Sequence, residues 1–178
     1  ELEYAIIDSR ATIVVTTAEL SSKLAALCAA NSLRLVMVDG LDQSAMKTAL
    51  PEIQLNRRAM MLYTSGTTSK PKGVVTTHAC VQAQIEALVE AWQWQPDDRI
   101  PLFLPLHHIH GIINVMSCAL WCGAEIETFA SFDRDVILQR IIENAYSVFM
   151  AVPTIYVKLI EAIECLPDSQ RQPVVDGF

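Results

Sequence analysis

Twelve residues, Tyr63-Thr64-Ser65-Gly66-Thr67-Thr68-Ser69-Lys70-Pro71-Lys72-Gly73-Val74, concentrate groups that bind phosphate: five Ser/Thr hydroxyls, two glycines and two lysines. Phosphate oxygens are held by converging backbone N–H groups, hydroxyls and ammonium groups, and glycine lets the backbone approach with no Cβ in the way. Lys70 and Lys72 bracket Pro71, whose fixed φ favours an extended stem that projects both cations. Met60-Met61-Leu62-Tyr63 before the stretch and Val74-Val75 within and after it predict strand, loop, then strand or helix. The pattern is not a Walker A sequence, because Gly66 and Gly73 are seven apart and Val74 follows. A solvated Ser/Thr-rich turn has the same composition, so these residues alone leave both readings open.

Two further stretches follow in order. Leu104-Pro105-Leu106-His107-His108-Ile109-His110-Gly111 holds three of the four histidines, and Val152-Pro153-Thr154-Ile155-Tyr156 places a proline where a helix can begin. Together the three stretches resemble the adenylate-forming superfamily, which includes acyl-CoA synthetases, firefly-type luciferases and nonribosomal peptide adenylation domains. Tyr63 to Val74 is similar to the family's phosphate loop, the histidine stretch to its L-P-x-x-H-x-x-G segment, and the last to the V-P-T-x-Y that opens a helix lining the acyl pocket. The resemblance runs from about residue 60 to about residue 165, and residues 1–17 resemble the helix and strand that precede the loop.

That resemblance implies a two-step reaction using ATP, Mg2+ and coenzyme A. A carboxylate attacks the α-phosphorus of ATP, and a thiol then displaces AMP from the acyl-adenylate. It implies that Thr64, Ser65, Gly66, Thr67, Thr68, Lys70 and Lys72 contact the β- and γ-phosphates, and that His108 is the catalytic histidine beside the acyl carboxylate. His107 and Ile109 are assigned to the substrate side, with packing beside the pocket the plainer role for His107 and His110. Within the superfamily the histidine stretch, Ser131-Phe132-Asp133 and the V-P-T helix most resemble malonyl-CoA synthetases, in which a cation at the position of Lys158 pairs with a second carboxylate. That cation is typically arginine; lysine keeps the charge and loses the bidentate geometry. A solvated helix residue is the alternative for Lys158.

The departures carry as much information. No N-x-Y-G-x-T-E segment occurs, so the glutamate that would help hold magnesium is missing, as are the family's ribose-binding aspartate, hinge and catalytic lysine. The expectation is an incomplete portion of the large N-terminal domain of an acyl-CoA synthetase, inactive when isolated. The alternatives are a non-catalytic nucleotide- or anion-binding remnant, a structural module prone to self-association, and a ligase for medium- or long-chain fatty acids or aryl acids.

Composition bounds the partners. The chain has 178 residues, 52% of them hydrophobic, and a net charge of −7. That length buries a sizeable core, and the acidic balance without a basic run excludes a nucleic-acid binder, leaving a small-molecule carboxylate, ATP and CoA. Cys28, Cys80, Cys118, Cys122 and Cys165 are odd in number and form no C-x-x-C pair, and most sit in apolar helical contexts, which predicts buried, reduced thiols in a cytoplasmic protein. Cys118 and Cys122 with the upstream histidines fit no zinc pattern, so no metal site is assigned. The longest apolar run, residues 111–124, is too short to span a bilayer.

The elements that must position these groups alternate. Periodicity predicts a β-α-β unit over residues 1–40, with a strand at 12–16, a helix at 18–30 opened by a Thr16/Glu19 capping box, and a strand at 34–38. A polar connector at 41–58 leads to the phosphate-loop and acyl-pocket region at 59–165. That region has helices at 79–92, 111–121, 133–144 and 154–165, with strands at 100–104, 125–129 and 147–152. Residues 166–178 are expected to form an irregular tail. The fold class is α/β, a mostly parallel sheet layered by helices, with the three stretches at the carboxyl ends of strands, where such sheets bind ligands.

Overall fold

The computed structural model describes residues 2–41, 49–64 and 70–177. It divides into two compact units, residues 1–78 and 79–178.

The first unit opens with helix α1 (Leu2–Asp8), then β1 (Ile13–Thr16), α2 (Ala18–Ala30) and β2 (Arg34–Met37). The β-branched run Ile13-Val14-Val15 pairs in parallel with β2, Ile13 opposite Arg34 and Thr16 opposite Met37. α2 crosses between them, as a parallel pair requires. Its Leu24 and Cys28, four apart and so on one face, meet Ile6 of α1 in a small core. The helix begins after Thr17, whose side chain makes no capping hydrogen bond; the expected capping box at Thr16 and Glu19 is not formed. β3 (Arg58–Thr64) and β4 (Lys72–Thr77) then form an antiparallel hairpin, with Tyr63 opposite Gly73 and Thr64 opposite Lys72.

The second unit contains α3 (His78–Trp92, from residue 79), β5 (Arg99–Leu102), a π-helical stretch (His110–Ser117), α4 (Cys118–Cys122) and β6 (Glu125–Thr128). After these come α5 (Arg134–Ile142), α6 (Pro153–Glu164) and α7 (Asp168–Asp176). β5 and β6 are parallel, with Ile100 opposite Ile126. The apolar strand Ile100-Pro101-Leu102 is buried, and Ile137, Leu159 and Val174 bring α5, α6 and α7 into the core. Asp133 caps α5, its carboxylate accepting from Asp135 N and Val136 N at 3.0 and 3.1 Å. Gly123 ends α4 with φ +81°, and Ala124 N returns to Ala119 O at 2.9 Å.

The α/β class holds, expressed among the described residues as two parallel strand pairs and one antiparallel hairpin. Besides the capping box, three local expectations need correction. The predicted strand at 147–152 runs beside β5 only at its start, where Ser147 N and Val148 N both donate to Arg99 O. The predicted helix at 111–121 has a wide first half, because Cys118 N reaches back five residues to Ile113 O. The tail expected to be irregular is largely helical. Arg171 explains why α7 docks: its guanidinium donates to Ile163 O, Glu164 O and Leu166 O, satisfying carbonyls that the end of α6 leaves open.

Candidate active site

In the first unit the hairpin brings the two stems of the phosphate-loop candidate together. Thr64 ends β3 and Lys72 begins β4 directly opposite, with Thr64 Oγ1 donating to Lys72 O at 3.5 Å. Lys70 and Lys72 are exposed. Ser65, Gly66, Thr67 and Thr68 lie outside the described residues. The stems are anchored to α1: Tyr63 Oη donates to Asp8 Oδ2 at 2.7 Å and lies 3.2 Å from Ala5 O, and the Tyr4 and Tyr63 rings meet edge to face at 6.2 Å. Burial and the bond to Asp8 push the Tyr63 phenol up to about 12, so it stays a neutral donor. Lys70 Nζ sits 5.4 Å from the Tyr4 ring centroid.

In the second unit an open cleft of about 480 Å3 is walled by Ser147 to Ala151 and closed by Trp92, His110 and Tyr156. Its wall is fastened at the base. Ser147 Oγ accepts from Arg99 N at 2.9 Å and donates to Asp98 Oδ1 at 2.7 Å, while Arg99 Nη2 donates to Asn144 O. Next to it, Tyr146 Oη donates to Glu127 Oε2 at 2.6 Å, on the same oxygen that takes Arg140 Nε and Nη2 at 3.0 and 2.8 Å. Desolvation works against ionising Glu127, yet the bonds from Tyr146 and Arg140 hold its carboxyl below the ordinary carboxylate range. Phe149 packs on Phe103 and Tyr156, with ring centroids 5.7 and 6.0 Å apart.

The histidine stretch divides by position. His107, His108 and Ile109 are exposed, the two histidine rings 4.3 Å apart, and only His110 of these four lines the cleft. Lys158 lines a different cavity of about 390 Å3, together with Phe132, Asp133, Arg134, Asp135 and Glu161. The cause is helical pitch: Tyr156 and Lys158 are two residues apart on α6, so they leave it about 200° apart. The structure therefore brings Thr64, Lys70 and Lys72 together at one hairpin end and does not gather His110 and Lys158 in one cavity. Sequence reasoning did not single out Trp92 or Ser147 to Ala151. The signal was present in Val152-Pro153, since the residues before a helix-opening proline are extended and free to line a wall.

The residues fit the groups implied by resemblance unequally. Thr64, Lys70 and Lys72 supply a hydroxyl and two cations at a hairpin mouth, a donor set suited to the phosphates of ATP. Among the described residues no three His, Cys, Asp or Glu side chains are placed together to hold a metal ion. Of the cysteines expected to be buried, Cys28 and Cys118 are, whereas Cys80 and Cys165 are exposed. Burial pushes the Cys118 thiol up to about 11, which keeps it protonated and unreactive. No helix among the described residues is long and apolar enough to cross a membrane.

The AMP-binding enzyme family model matches residues 1–173. The chain belongs to that family. Among its relatives, mitochondrial malonate–CoA ligase ACSF3 of Homo sapiens is 36% identical over 170 residues, covering 90% of this chain and 30% of the relative. ATP-bound MatB from Rhodopseudomonas palustris superposes with a TM-score of 0.80 at 28% identity, covering 97% of this chain and 36% of MatB. A malonyl-CoA ligase complex with methylmalonyl-CoA and AMP gives 0.81 at 26% identity, covering 99% and 36%. The fold is thus that of a portion of an adenylate-forming enzyme. The chain spans about 30% of the length of the malonate–CoA ligases it matches.

Proposed function

We propose that this chain is the phosphate-loop and acyl-pocket portion of an AMP-forming acyl-CoA ligase acting on malonate or another short carboxylic acid. The observation that carries this reading is the hairpin that sets Thr64 opposite Lys72, with Lys70 beside them, in a chain of this family. In the first step a carboxylate oxygen bonds to the α-phosphorus of ATP as the bond to pyrophosphate breaks; in the second, the sulfur of coenzyme A bonds to the acyl carbon and AMP leaves. Thr64, Ser65, Gly66, Thr67, Thr68, Lys70 and Lys72 hold the β- and γ-phosphates, where negative charge gathers as pyrophosphate departs. His108 orients the acyl carboxylate beside His107 and Ile109. The apolar and aromatic cleft at His110, Phe149 and Tyr156 has room for a short acyl group. The isolated 178-residue chain does not complete a turnover.

Support for malonate comes from the relatives, two of which are named for it, and from the charge of Lys158. The opening of Lys158 onto a separate cavity makes it the residue to test. If it pairs with the second carboxylate, Lys158→Ala in a protein carrying this chain weakens malonate-dependent ATP–pyrophosphate exchange and leaves acetate-dependent exchange unchanged. Equal loss with both acids would remove Lys158 from the substrate site. The buried, reduced Cys28 and Cys118 favour a reducing compartment; the cytoplasm is the one proposed, although the human relative is mitochondrial.

A further inference from the structure

Lys70 does not stand alone at the loop mouth. Its ammonium lies 5.4 Å from the centroid of the Tyr4 ring, within the distance at which a cation is drawn to an aromatic face. Tyr4 is in turn held by Tyr63, whose ring meets it at 77°, and Tyr63 is tied to α1 through Asp8 and Ala5 O. The ring of Tyr63 has room because Gly73 stands opposite it. A Cβ there would come within 2.8 Å of Met61 Sδ and 3.2 Å of Tyr63 Cζ. Glycine, two tyrosines packed edge to face and a buttressing carboxylate thus form a platform from α1 to the hairpin end, with a lysine over its outer ring.

We infer that Tyr4 is a positioning residue for Lys70, holding its ammonium at the mouth of the hairpin so that it is pre-placed for a phosphate group. This rests on the nucleotide reading above. The physical reason is that a lysine side chain carries large rotamer entropy, which an anion must otherwise remove when it binds. A cation–π contact uses one side of the ammonium and leaves its remaining N–H donors free, so ring and phosphate can hold it together. Tyr4 would not touch the nucleotide; it acts through Lys70.

The test uses the full chain with lysine labelled at 13Cε, in wild-type, Tyr4→Phe, Tyr4→Leu and Lys70→Gln forms. The Lys70 Hε resonances, assigned by their loss in Lys70→Gln, should be shifted upfield by the ring in wild type and in Tyr4→Phe, and should return to the position of the other lysines in Tyr4→Leu. Calorimetric titration with ATP should give equal affinity for wild type and Tyr4→Phe and about two- to fivefold weaker binding for Tyr4→Leu. In the Tyr4→Leu/Lys70→Gln double variant, the Tyr4 substitution should cause no further loss, an outcome that general destabilisation would not produce. Absence of the upfield shift in wild type would overturn the inference whatever ATP does. A shift that is present while Tyr4→Leu binds ATP as tightly as wild type, or more tightly, would overturn the positioning role. If wild type shows the shift but binds no ATP, the nucleotide reading fails, and the positioning role fails with it while the ring contact stands.

Discussion

Three hydrogen bonds, from Arg140 Nε, Arg140 Nη2 and Tyr146 Oη, meet one oxygen of Glu127, and they tie β6 and α5 to the residue before the cleft wall. The Glu127 carboxyl is held below its unfolded value, so its contribution to stability is present above about pH 4.3 and fades as pH falls through the folded value. Both partners are more than a third exposed, 38% for Arg140 and 36% for Glu127, so solvent screening limits the effect. Glu127→Gln should cost about 1 kcal/mol at pH 7 by urea denaturation, and the gap from wild type should narrow as pH falls below about 4. A gap that widens in acid would contradict the assignment. At the phosphate loop, Lys72→Ala should weaken ATP binding by about tenfold or more in calorimetry, the scale of one charge-assisted contact. Unchanged heat in both Lys70→Ala and Lys72→Ala would place the anion elsewhere.

Elements with strong local patterns were legible in the sequence. The helix expected at residues 18–30 is α2, and those expected at 79–92 and 154–165 differ from α3 and α6 by a single residue at each shifted end. What escaped depended on partners far along the chain. α7 contains Pro173 and few apolar residues, and what seats it is the fully buried Val174 and the bonds from Arg171 to the end of α6. Residues 147–152 have a strand-like composition, but ladder bonding needs a neighbour along their whole length and Arg99 O supplies only their start. The same limit applies to the site: types and order marked the loop and the histidines, while which histidine meets the cleft depended on the turn at residues 105–110. Gly111 fixes that turn, since a Cβ would lie 2.5 Å from Pro105 O and 3.0 Å from Leu104 O. Gly111→Ala should therefore destabilise by about 1–3 kcal/mol, read as a lowered denaturation midpoint. Loss of the α5 cap in Asp133→Ala should cost about 1 kcal/mol in the same assay.

Across the whole molecule, the two units carry different parts of the proposed chemistry: the phosphate-loop stems lie in the first, the aromatic cleft and histidine stretch in the second. Exposed apolar residues occur in both, among them Val15 in the first and Ile160 and Trp121 in the second. Because the chain spans about 30% of the malonate–CoA ligases it matches, catalysis is a property to measure in a protein that carries it. The most direct measurement is carboxylate-dependent ATP–pyrophosphate exchange, which reports acyl-adenylate formation without requiring a thiol. The account predicts exchange that depends on malonate or another short acid and falls steeply in Lys72→Ala. Exchange with none of malonate, acetate, aryl or long-chain acids would contradict it.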